Sequence, residues 1–496
     1  MTEKSALAGV SISVRGARGG GMILLGSGGS LAIQLASLFV LSRLLSPSDF
    51  GLVAMVTIFV ALGNLLRDFG LPLAGLQEQS LSRQQASNLF WMSAIIAATC
   101  AVLLTVSTPV LVALFHEPRL VSVVPSLAIV VFLGGLTSQL QVHLARSMRF
   151  GTLVGSDLLG QFAGLVIAIA LAAAGAGYWA LIAQSLAAAL LTLLHRWIAC
   201  RWIPLAPRRG HDELRLLKTG ATYGTAQLLT FAQSNVDTLL IGAQFGASQL
   251  GYYNRAYQML TAPAGRFLDP LTQVVVTTLN KAKAAQRDPD ALLYKIQFGV
   301  GTLIVWTFAV TAGTAPLLIP LVLGDQWGPS VPIFQVLAAG GSVWVFNHVS
   351  YWAFIVKEKP HALLSYNLLS KPLAIASIFV GSQFGLVGVA WGYAIAMAFS
   401  WPLNLFWLAR TASLPAGRFF ANGCRVLLAG VFAGAASSIT SNALSSVSPL
   451  VGVMIGVIAG TAALTIVLFL MPGSRPLFTE WIRLLRSSIL PHRKAI

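Results

Sequence analysis

Long apolar stretches alternate with short polar ones from one end of this 496-residue chain to the other. Most apolar stretches hold about 20 residues, the length that a helix needs to cross the hydrocarbon core of a bilayer. About fourteen such windows can be recognised along the chain. The pattern therefore predicts an all-α, polytopic membrane protein with about 14 transmembrane helices.

The few charged residues are unevenly distributed between the polar stretches. The chain is 56% hydrophobic and 9% charged, and its 32 Lys and Arg residues outnumber 15 Asp and Glu residues. Of the 32 basic residues, 27 fall in every second polar stretch, counted from the N-terminus, whereas only Arg43 and Arg119 lie in the intervening loops. Basic residues accumulate in cytoplasmic loops, so we expect both termini to be cytoplasmic. The net charge of +17 then requires no nucleic-acid partner, and the expected surroundings are membrane lipids.

The sequence offers little for catalysis or metal binding. Cys100, Cys200 and Cys424 lie in separate predicted spans, and the histidines lack the spacing of a metal site. Asp288-Pro289-Asp290 is similar to the metal-binding motif of nucleotide-sugar glycosyltransferases. An N-cap Asp followed by Pro at the first helical position explains it better. Since the chain also lacks an ATP-binding loop and a nucleophile elbow, we expect no cofactor, no metal and no enzymatic activity.

Two short segments indicate an internal repeat. One lies between the first two predicted spans and the other between the seventh and eighth. Ser48 and Gly51 of the first segment recur as Ser248 and Gly251, 200 residues later. A turn that begins the next helix would also favour Ser and Gly locally. Six spans return the chain to the cytoplasmic side, so the two repeats are predicted to be parallel, as in some transporters.

The repeat and the polar stretches together predict the organisation of the chain. The predicted parts are a cytoplasmic N-terminal leader (1–21), an N-lobe of helices 1–6 (22–203), a cytoplasmic linker (204–218), a C-lobe of helices 7–12 (219–410), helices 13 and 14 (411–471) and a cytoplasmic tail (472–496). The first apolar run is longer than the core of a signal peptide, so we expect the first span to be retained. The tail fits either an interfacial amphipathic helix or a solvated segment.

Three motifs make the chain similar to a known family. They are SRLLSPSDFGL (42–52) followed by DFGL (68–71), LARSMRF (144–150), and NVDTLLIG (235–242) followed by GYYNRA (251–256). Over about residues 20–410, the chain resembles the polysaccharide transport family of Wzx-type flippases. That family belongs to the multidrug/oligosaccharidyl-lipid/polysaccharide flippase superfamily.

The resemblance implies a fold and a function. Two pseudo-symmetric six-helix lobes would enclose a cavity that opens alternately to either side, followed by two C-terminal helices. The implied activity moves undecaprenyl-pyrophosphate-linked oligosaccharide units from the cytoplasmic to the periplasmic leaflet of the bacterial inner membrane, for lipopolysaccharide or exopolysaccharide biosynthesis. Polysaccharide polymerase and chain-length proteins would be partners.

Five of the ionisable residues that lie within or at the edge of predicted spans are candidate site residues, because a charge there costs about 3 kcal/mol on insertion scales. Lys371, Arg266 and Arg255 are candidates for a cationic lumen that binds the anionic pyrophosphate. Asp237 and Asp269 are candidates for ion coupling or for structural pairs.

Structural alternatives remain open for four of these residues. Arg266 and Asp269 are three positions apart on one helix, so they can form an internal ion pair. Arg255 can extend its guanidinium to the outer interface. Asp237 has no basic neighbour in sequence and can bind a coupling cation or pair across helices.

Two other functional classes are compatible with a polytopic membrane protein. A cation-coupled small-molecule antiporter of the same superfamily would need a compact carboxylate site rather than a basic lumen. A membrane polysaccharide polymerase or ligase would carry catalytic residues in a large outside loop. The predicted outside loops here are short, which favours the flippase.

The charge distribution predicts the accessibility of individual loops. In a cysteine-free background, cysteines introduced at Ser248 and Gln326 should react with a membrane-impermeant thiol reagent added to intact cells. Cysteines at Arg209 and Arg287 should react only after the cells are permeabilised. Labelling at Arg209 in intact cells would refute the topology.

Overall fold

The computed structural model describes residues 3–68, 82–208, 213–444 and 448–489. These residues form fifteen α-helices and no β-strand. The helices are α1 (Glu3–Leu44), α2 (Pro47–Asp68), α3 (Arg83–Val106), α4 (Thr108–Phe115), α5 (Leu120–Arg146), α6 (Phe150–Ala173), α7 (Trp179–Cys200), α8 (Glu213–Ala284), α9 (Pro289–Leu323), α10 (Ser330–Val356), α11 (Pro360–Ser382), α12 (Gly385–Ala412), α13 (Ala416–Ala443), α14 (Pro449–Leu470) and α15 (Arg475–Ile489). Phe69-Gly70-Leu71 of the first motif, residues 209–212 of the predicted linker and the last seven residues of the tail lie outside the described residues.

Twelve helices in the described ranges are long and apolar enough to cross a membrane. The seventh and eighth predicted spans both fall on α8, so the helices accommodate about 14 crossings. The all-α, polytopic fold class is thereby confirmed. Residues 475–489 of the tail form the helix α15, in which Phe478 is buried.

The long helix α8 is bent at Gly246, which has φ 79° and ψ −178°. Glycine reaches this positive φ without the steric penalty that a Cβ atom imposes. The corresponding break in the first half separates α1 from α2 and leaves Leu45 and Ser46 outside the helices. Ser46 lies 200 residues before Gly246, so the two breaks follow the sequence repeat.

The third predicted span differs from the observed helix. The continuous apolar run 87–115 predicts one span, but the structure contains α3 and the short helix α4, separated at Ser107. Pro109 lies in the first turn of α4 and has no amide proton to continue the hydrogen bonds of α3. Hydropathy averaged over a span does not detect this break, because Ser107 and Thr108 are only two polar residues within a long apolar run.

Side-chain caps fix the start of two helices. Ser46 and Asp49 cap α2 reciprocally: the amide of Ser46 donates to Asp49 Oδ2 (3.0 Å), and the amide of Asp49 donates to Ser46 Oγ (3.2 Å). At α9, Asp288 Oδ1 accepts from the amide of Asp290 (2.8 Å), with Pro289 at the first helical position. The N-cap interpretation of Asp288-Pro289-Asp290 is confirmed.

The chain divides into two compact units, Met1–Asn254 and Arg255–Ile496. In the first unit, α6 packs against both α1 and α7, and α5 packs against α3. Glycines allow α6 and α7 to approach closely: a Cβ atom at Gly160 or Gly164 would lie 2.7 Å or 2.6 Å from a carbonyl oxygen of α7. Small residues are the usual means by which membrane helices pack.

The second unit also contains helices that pack closely through glycines. Gly452, Gly456 and Gly460 recur every fourth residue on α14 and face the backbone of α13. A Cβ atom at Gly456 would lie 3.1 Å from the carbonyl oxygen of Ser437. The pair α13 and α14 packs against α9, which brings the two C-terminal helices onto the rest of this unit.

The repeated glycines Gly51 and Gly251 make reciprocal contacts in the first unit. A Cβ atom at Gly51 would clash with the carbonyl oxygen of Ala247, and one at Gly251 would clash with that of Pro47. Pro47 and Ala247 are themselves 200 residues apart. The start of α2 therefore crosses α8 just after its bend through a pair of equivalent backbone contacts.

This crossing predicts a strong requirement for glycine. Gly51→Ala and Gly251→Ala should each destabilise the purified protein by about 1–3 kcal/mol, because an added methyl group must displace backbone. Gly155→Ala in α6 is the matched control, since nothing lies within 4 Å of its Cβ position. Thermal unfolding in detergent measures the difference. Equal unfolding temperatures for Gly51→Ala and Gly155→Ala would contradict the prediction.

Candidate functional site

Asp237 is the most deeply buried of the five predicted site residues, with 6% of its surface exposed. Its Oδ2 accepts a hydrogen bond from the Tyr253 hydroxyl (2.8 Å), and its Oδ1 accepts from the amide of Thr238 (2.8 Å). Asp237 and Tyr253 lie on opposite sides of the bend at Gly246. The carboxylate therefore ties the two arms of α8 together, as a structural partner across helices would.

Arg255 opens the second unit, and its side chain is half-buried. Its Nη1 donates to the side-chain oxygen of Gln258 (3.1 Å), one turn further along α8. This hydrogen bond directs the guanidinium along the helix.

Arg266 and Asp269 are both exposed on the second arm of α8. No hydrogen bond or ion pair joins these two described residues, so the internal pair that their spacing permits is not formed in this structure. An exposed ion pair contributes about 0–1 kcal/mol, too little to hold two flexible side chains in one geometry. Asp269 instead lies close enough to His348 of α10 to interact with it electrostatically.

Lys371 lies eleven residues from either end of α11 (Pro360–Ser382), which is about 16 Å along the helix axis. Its side chain is half-buried. Neither a hydrogen bond nor an ion pair to its amine is formed by any described residue, and no acidic group acts on it. The structure therefore places a cation at mid-span without a protein counter-ion among the residues it describes.

A polar network next to Lys371 was not predicted from the sequence. The Tyr366 hydroxyl donates to the carbonyl oxygen of Ser400 (3.2 Å), and the Asn347 amide donates to Ser400 Oγ (2.9 Å). Asn404 adds a longer contact to Asn347 (3.4 Å). These side chains fasten α11 to α10 and α12 and so fix the helix that carries Lys371.

Arg196 is a buried cation four residues before the end of α7, and its partners were not predicted from the sequence. The structure places it within α7, with 4% of its surface exposed. Its guanidinium donates to Ser156 Oγ (2.9 Å), Gln141 Oε1 (3.1 Å) and Asp157 Oδ1 (2.7 Å). Because these three acceptors satisfy the guanidinium, Arg196 can remain buried. Asp157 within the apolar run of α6 is the sequence signal for this site.

The loop before α5 contains another ion pair. Arg119 donates from Nε and Nη2 to the two carboxylate oxygens of Glu117 (both 2.8 Å) and also to Ser48 Oγ (3.0 Å). The hydrogen bond with Arg119 holds the pKa of Glu117 below its usual value, and the same contact raises the pKa of Arg119. Arg119 therefore links this loop to the start of α2.

The described residues contain no group of three or more His, Cys, Asp and Glu side chains arranged to hold a metal ion.

Residues 40–332 match the family described as "Polysaccharide biosynthesis protein". The chain belongs to that family.

Curated relatives come from bacterial polysaccharide biosynthesis. The chain is 26% identical over 402 residues to the teichuronic acid biosynthesis protein TuaB of Bacillus subtilis, covering 78% of this chain and 81% of TuaB. It is 20% identical to the lipopolysaccharide biosynthesis protein WzxC of Escherichia coli (76% and 77% covered). It is 24% identical to the succinoglycan biosynthesis transport protein ExoT of Rhizobium meliloti (75% and 78% covered).

Solved structures share the fold. The lipid II flippase MurJ, in an inward closed conformation, superposes with a TM-score of 0.67 at 11% identity and covers 90% of this chain and 97% of its own. An inward-facing multidrug transporter of the MATE family, in the MOP superfamily, gives a TM-score of 0.60 at 15% identity, with 78% and 95% covered. At these identities the likeness establishes the fold.

The buried geometry of Arg196 generates a stability prediction. Arg196→Met should lower the free energy of unfolding by about 3–5 kcal/mol, because it removes one member of a buried pair and leaves its acceptors unsatisfied. Arg418→Met, at an exposed position near the start of α13, is the matched control and should have little effect. Unfolding of both purified variants with temperature makes the comparison. An Arg196→Met variant as stable as the control would refute a structural role.

Proposed function

We propose that the chain is a flippase that moves undecaprenyl-pyrophosphate-linked oligosaccharide units from the cytoplasmic to the periplasmic leaflet by alternating access. The units would serve lipopolysaccharide or exopolysaccharide biosynthesis. The observation that carries this proposal is Lys371, a mid-span cation without a counter-ion among the described residues. Family membership and relatives named for polysaccharide biosynthesis and transport support it.

The proposed substrate supplies the missing counter-ion. A pyrophosphate diester carries about two negative charges that must leave water during translocation, and a cation inside the span offsets part of that cost. Lys371 would act as a point charge, whereas Arg266 and Arg255 would bind phosphate oxygens with two parallel hydrogen bonds. Asp269 and Asp237 would modulate or position these cations, and Asp237 has the alternative of binding a coupling ion.

The same proposal places the protein in the bacterial inner membrane with both termini in the cytoplasm. Acidic residues at the predicted cytoplasmic ends of the second unit are neutralised by nearby lysines, as in the pairs Lys357–Asp290 (2.8 Å) and Lys295–Glu480 (2.6 Å). The unpaired basic residues of those loops are then free to face anionic lipid headgroups. The protein would act as a transporter rather than an enzyme and would hand its product to a polymerase and chain-length proteins.

A cation-coupled small-molecule antiporter of the same superfamily is the second candidate. The specific observation in its favour is the buried carboxylate of Asp237, a group that can bind a proton or a cation. Its hydrogen bonds to Tyr253 and Thr238 are equally suited to holding the bend of α8. A cation-coupled antiporter needs a compact carboxylate site, whereas the charge of Lys371 would repel a coupling cation. The flippase is therefore the better explanation.

Removal of the charge at position 371 tests the function. Lys371→Ala should abolish polysaccharide export, a reduction of at least about 100-fold, because the pyrophosphate then lacks its mid-span partner. Lys371→Arg should restore export in part, since it keeps the charge but changes its geometry. Surface polysaccharide of the host cells is the readout, and immunoblotting reports the amount of protein in the membrane.

Lys281→Ala is the matched control, because Lys281 is exposed near the predicted cytoplasmic end of α8 and no described residue forms a side-chain hydrogen bond or ion pair with it. It should leave export unchanged. Full export by Lys371→Ala at a normal protein level would show that the charge is dispensable and would remove the main support for the flippase.

A further inference from the structure

A cluster of aromatic side chains surrounds His348 in the second unit. Trp344, His348 and Tyr351 occupy positions i, i+4 and i+7 of α10, so they share one face of that helix. The ring centroids of Trp344 and Tyr351 lie 5.6 Å and 5.9 Å from that of His348. Trp352 contacts the imidazole from the buried side, edge to face, at 5.4 Å.

Thr272 of α8 holds the imidazole in place. A hydroxyl group has one proton and two lone pairs. The Thr272 hydroxyl donates to the carbonyl oxygen of Leu268 (3.0 Å) and accepts from Trp352 Nε1 (2.9 Å). Its remaining lone pair faces His348 Nε2 at 3.2 Å. This network assigns the proton to Nε2, so Nδ1 of the neutral ring is left to accept a hydrogen bond.

One side of the cluster is open. Trp352 is fully buried, whereas Tyr351 is 40% exposed and Trp344 and His348 are half-buried. Asp269 lies one turn before Thr272 on α8, so it is on the helix face that meets His348, and its exposed carboxylate interacts electrostatically with the imidazole. The open side therefore combines two aromatic rings with a histidine and a carboxylate, and the three ring residues have no role in the proposed binding of pyrophosphate.

We infer that Trp344, His348, Tyr351 and Asp269 form a subsite for a pyranose ring of the substrate. A pyranose has faces of C–H groups, which pack on aromatic rings, and a rim of hydroxyls, which donate to carboxylates and imidazole nitrogens. A few placed polar groups in an aromatic wall are typical of small-molecule sites. This inference rests on the proposed function and names the part of the substrate that the cluster recognises.

The charge of the cluster restricts the kind of sugar. Asp269 would repel the carboxylate of a uronic acid at this position, since like charges brought together at a binding site disfavour the complex. The subsite is therefore suited to a neutral pyranose.

The depth of the cluster agrees with the position of Lys371. His348 lies eight residues from the end of α10 at Val356, and Lys371 lies eleven residues from the start of α11 at Pro360. Both helix ends belong to the same turn, so the two residues lie about 12 Å and 16 Å from it. The difference of about 4 Å along the helix axes is comparable to the size of one sugar ring.

The test compares two ligands on the full-length protein in nanodiscs. One is the lipid-linked oligosaccharide extracted from the host cells, and the other is undecaprenyl pyrophosphate, which lacks the sugar. Tyr351→Leu and Trp344→Leu should each weaken binding of the oligosaccharide by about tenfold, which corresponds to about 1.4 kcal/mol, and leave the affinity for undecaprenyl pyrophosphate unchanged. Phe399→Leu is the matched control, because Phe399 is an exposed aromatic residue (74%) of the same unit outside the cluster.

The other outcomes overturn the inference. Wild-type affinity for both ligands in Tyr351→Leu and Trp344→Leu would show that no sugar contacts the cluster. An equal loss of both ligands in these variants would assign a structural role instead, and gel filtration with circular dichroism would detect misfolding. If Lys371→Ala weakens the binding of both ligands while either of these two results is obtained for the cluster variants, the proposed function stands without the subsite. If the wild-type protein binds neither ligand, the proposed function fails as well.

Discussion

A charged or polar side chain that enters the hydrocarbon core of a membrane must find a partner there, because water is absent and the cost of an unsatisfied group is high. The ionisable residues of the predicted spans fall into two groups in this respect. Arg196 and Asp237 are surrounded by hydrogen-bonding partners from the same unit. Lys371 has no such partner among the described residues. The first arrangement stabilises the protein, and the second leaves a charge available for a ligand.

Close approach of helix backbones is what allows these side chains to meet. The pairs α6 with α7 and α13 with α14 are held together through glycine, where a Cβ atom would contact a carbonyl oxygen of the neighbouring helix. Such contacts replace the hydrophobic driving force that helices lack when lipid surrounds them. The contacts of Gly51 and Gly251 are equivalent. Gly51 faces the backbone of Ala247, four residues before Gly251, and Gly251 faces the backbone of Pro47, four residues before Gly51. A two-fold relation between the repeats requires such a pair of contacts.

Hydropathy and charge distribution predicted the helices well, since the length and polarity of a span are fixed by the bilayer itself. The end of the seventh span near Gly246 and the cap at Asp288 were also predicted, because each depends on a local backbone preference, but the bend that joins the seventh and eighth spans into one helix was not. The break at Ser107 was missed, since a few polar residues and one Pro barely lower the mean hydropathy of the long apolar run around them. The partners of Arg196 were missed for a different reason. Contacts between side chains of three helices depend on rotation and packing, which hydropathy does not encode.

The two kinds of proposed binding group would solve different parts of one problem. A pyrophosphate linked to a polyprenyl chain is common to every substrate of this class, so cations such as Lys371 can attract and transfer it but cannot distinguish one saccharide from another. Discrimination requires contacts with the part that varies, and hydroxyl groups are read by acceptors in fixed positions rather than by net charge. The cluster around His348 has rigid aromatic neighbours and a histidine held by Thr272. A site of that kind is orientated before the substrate arrives, and this is the condition under which small differences between sugars become differences in affinity.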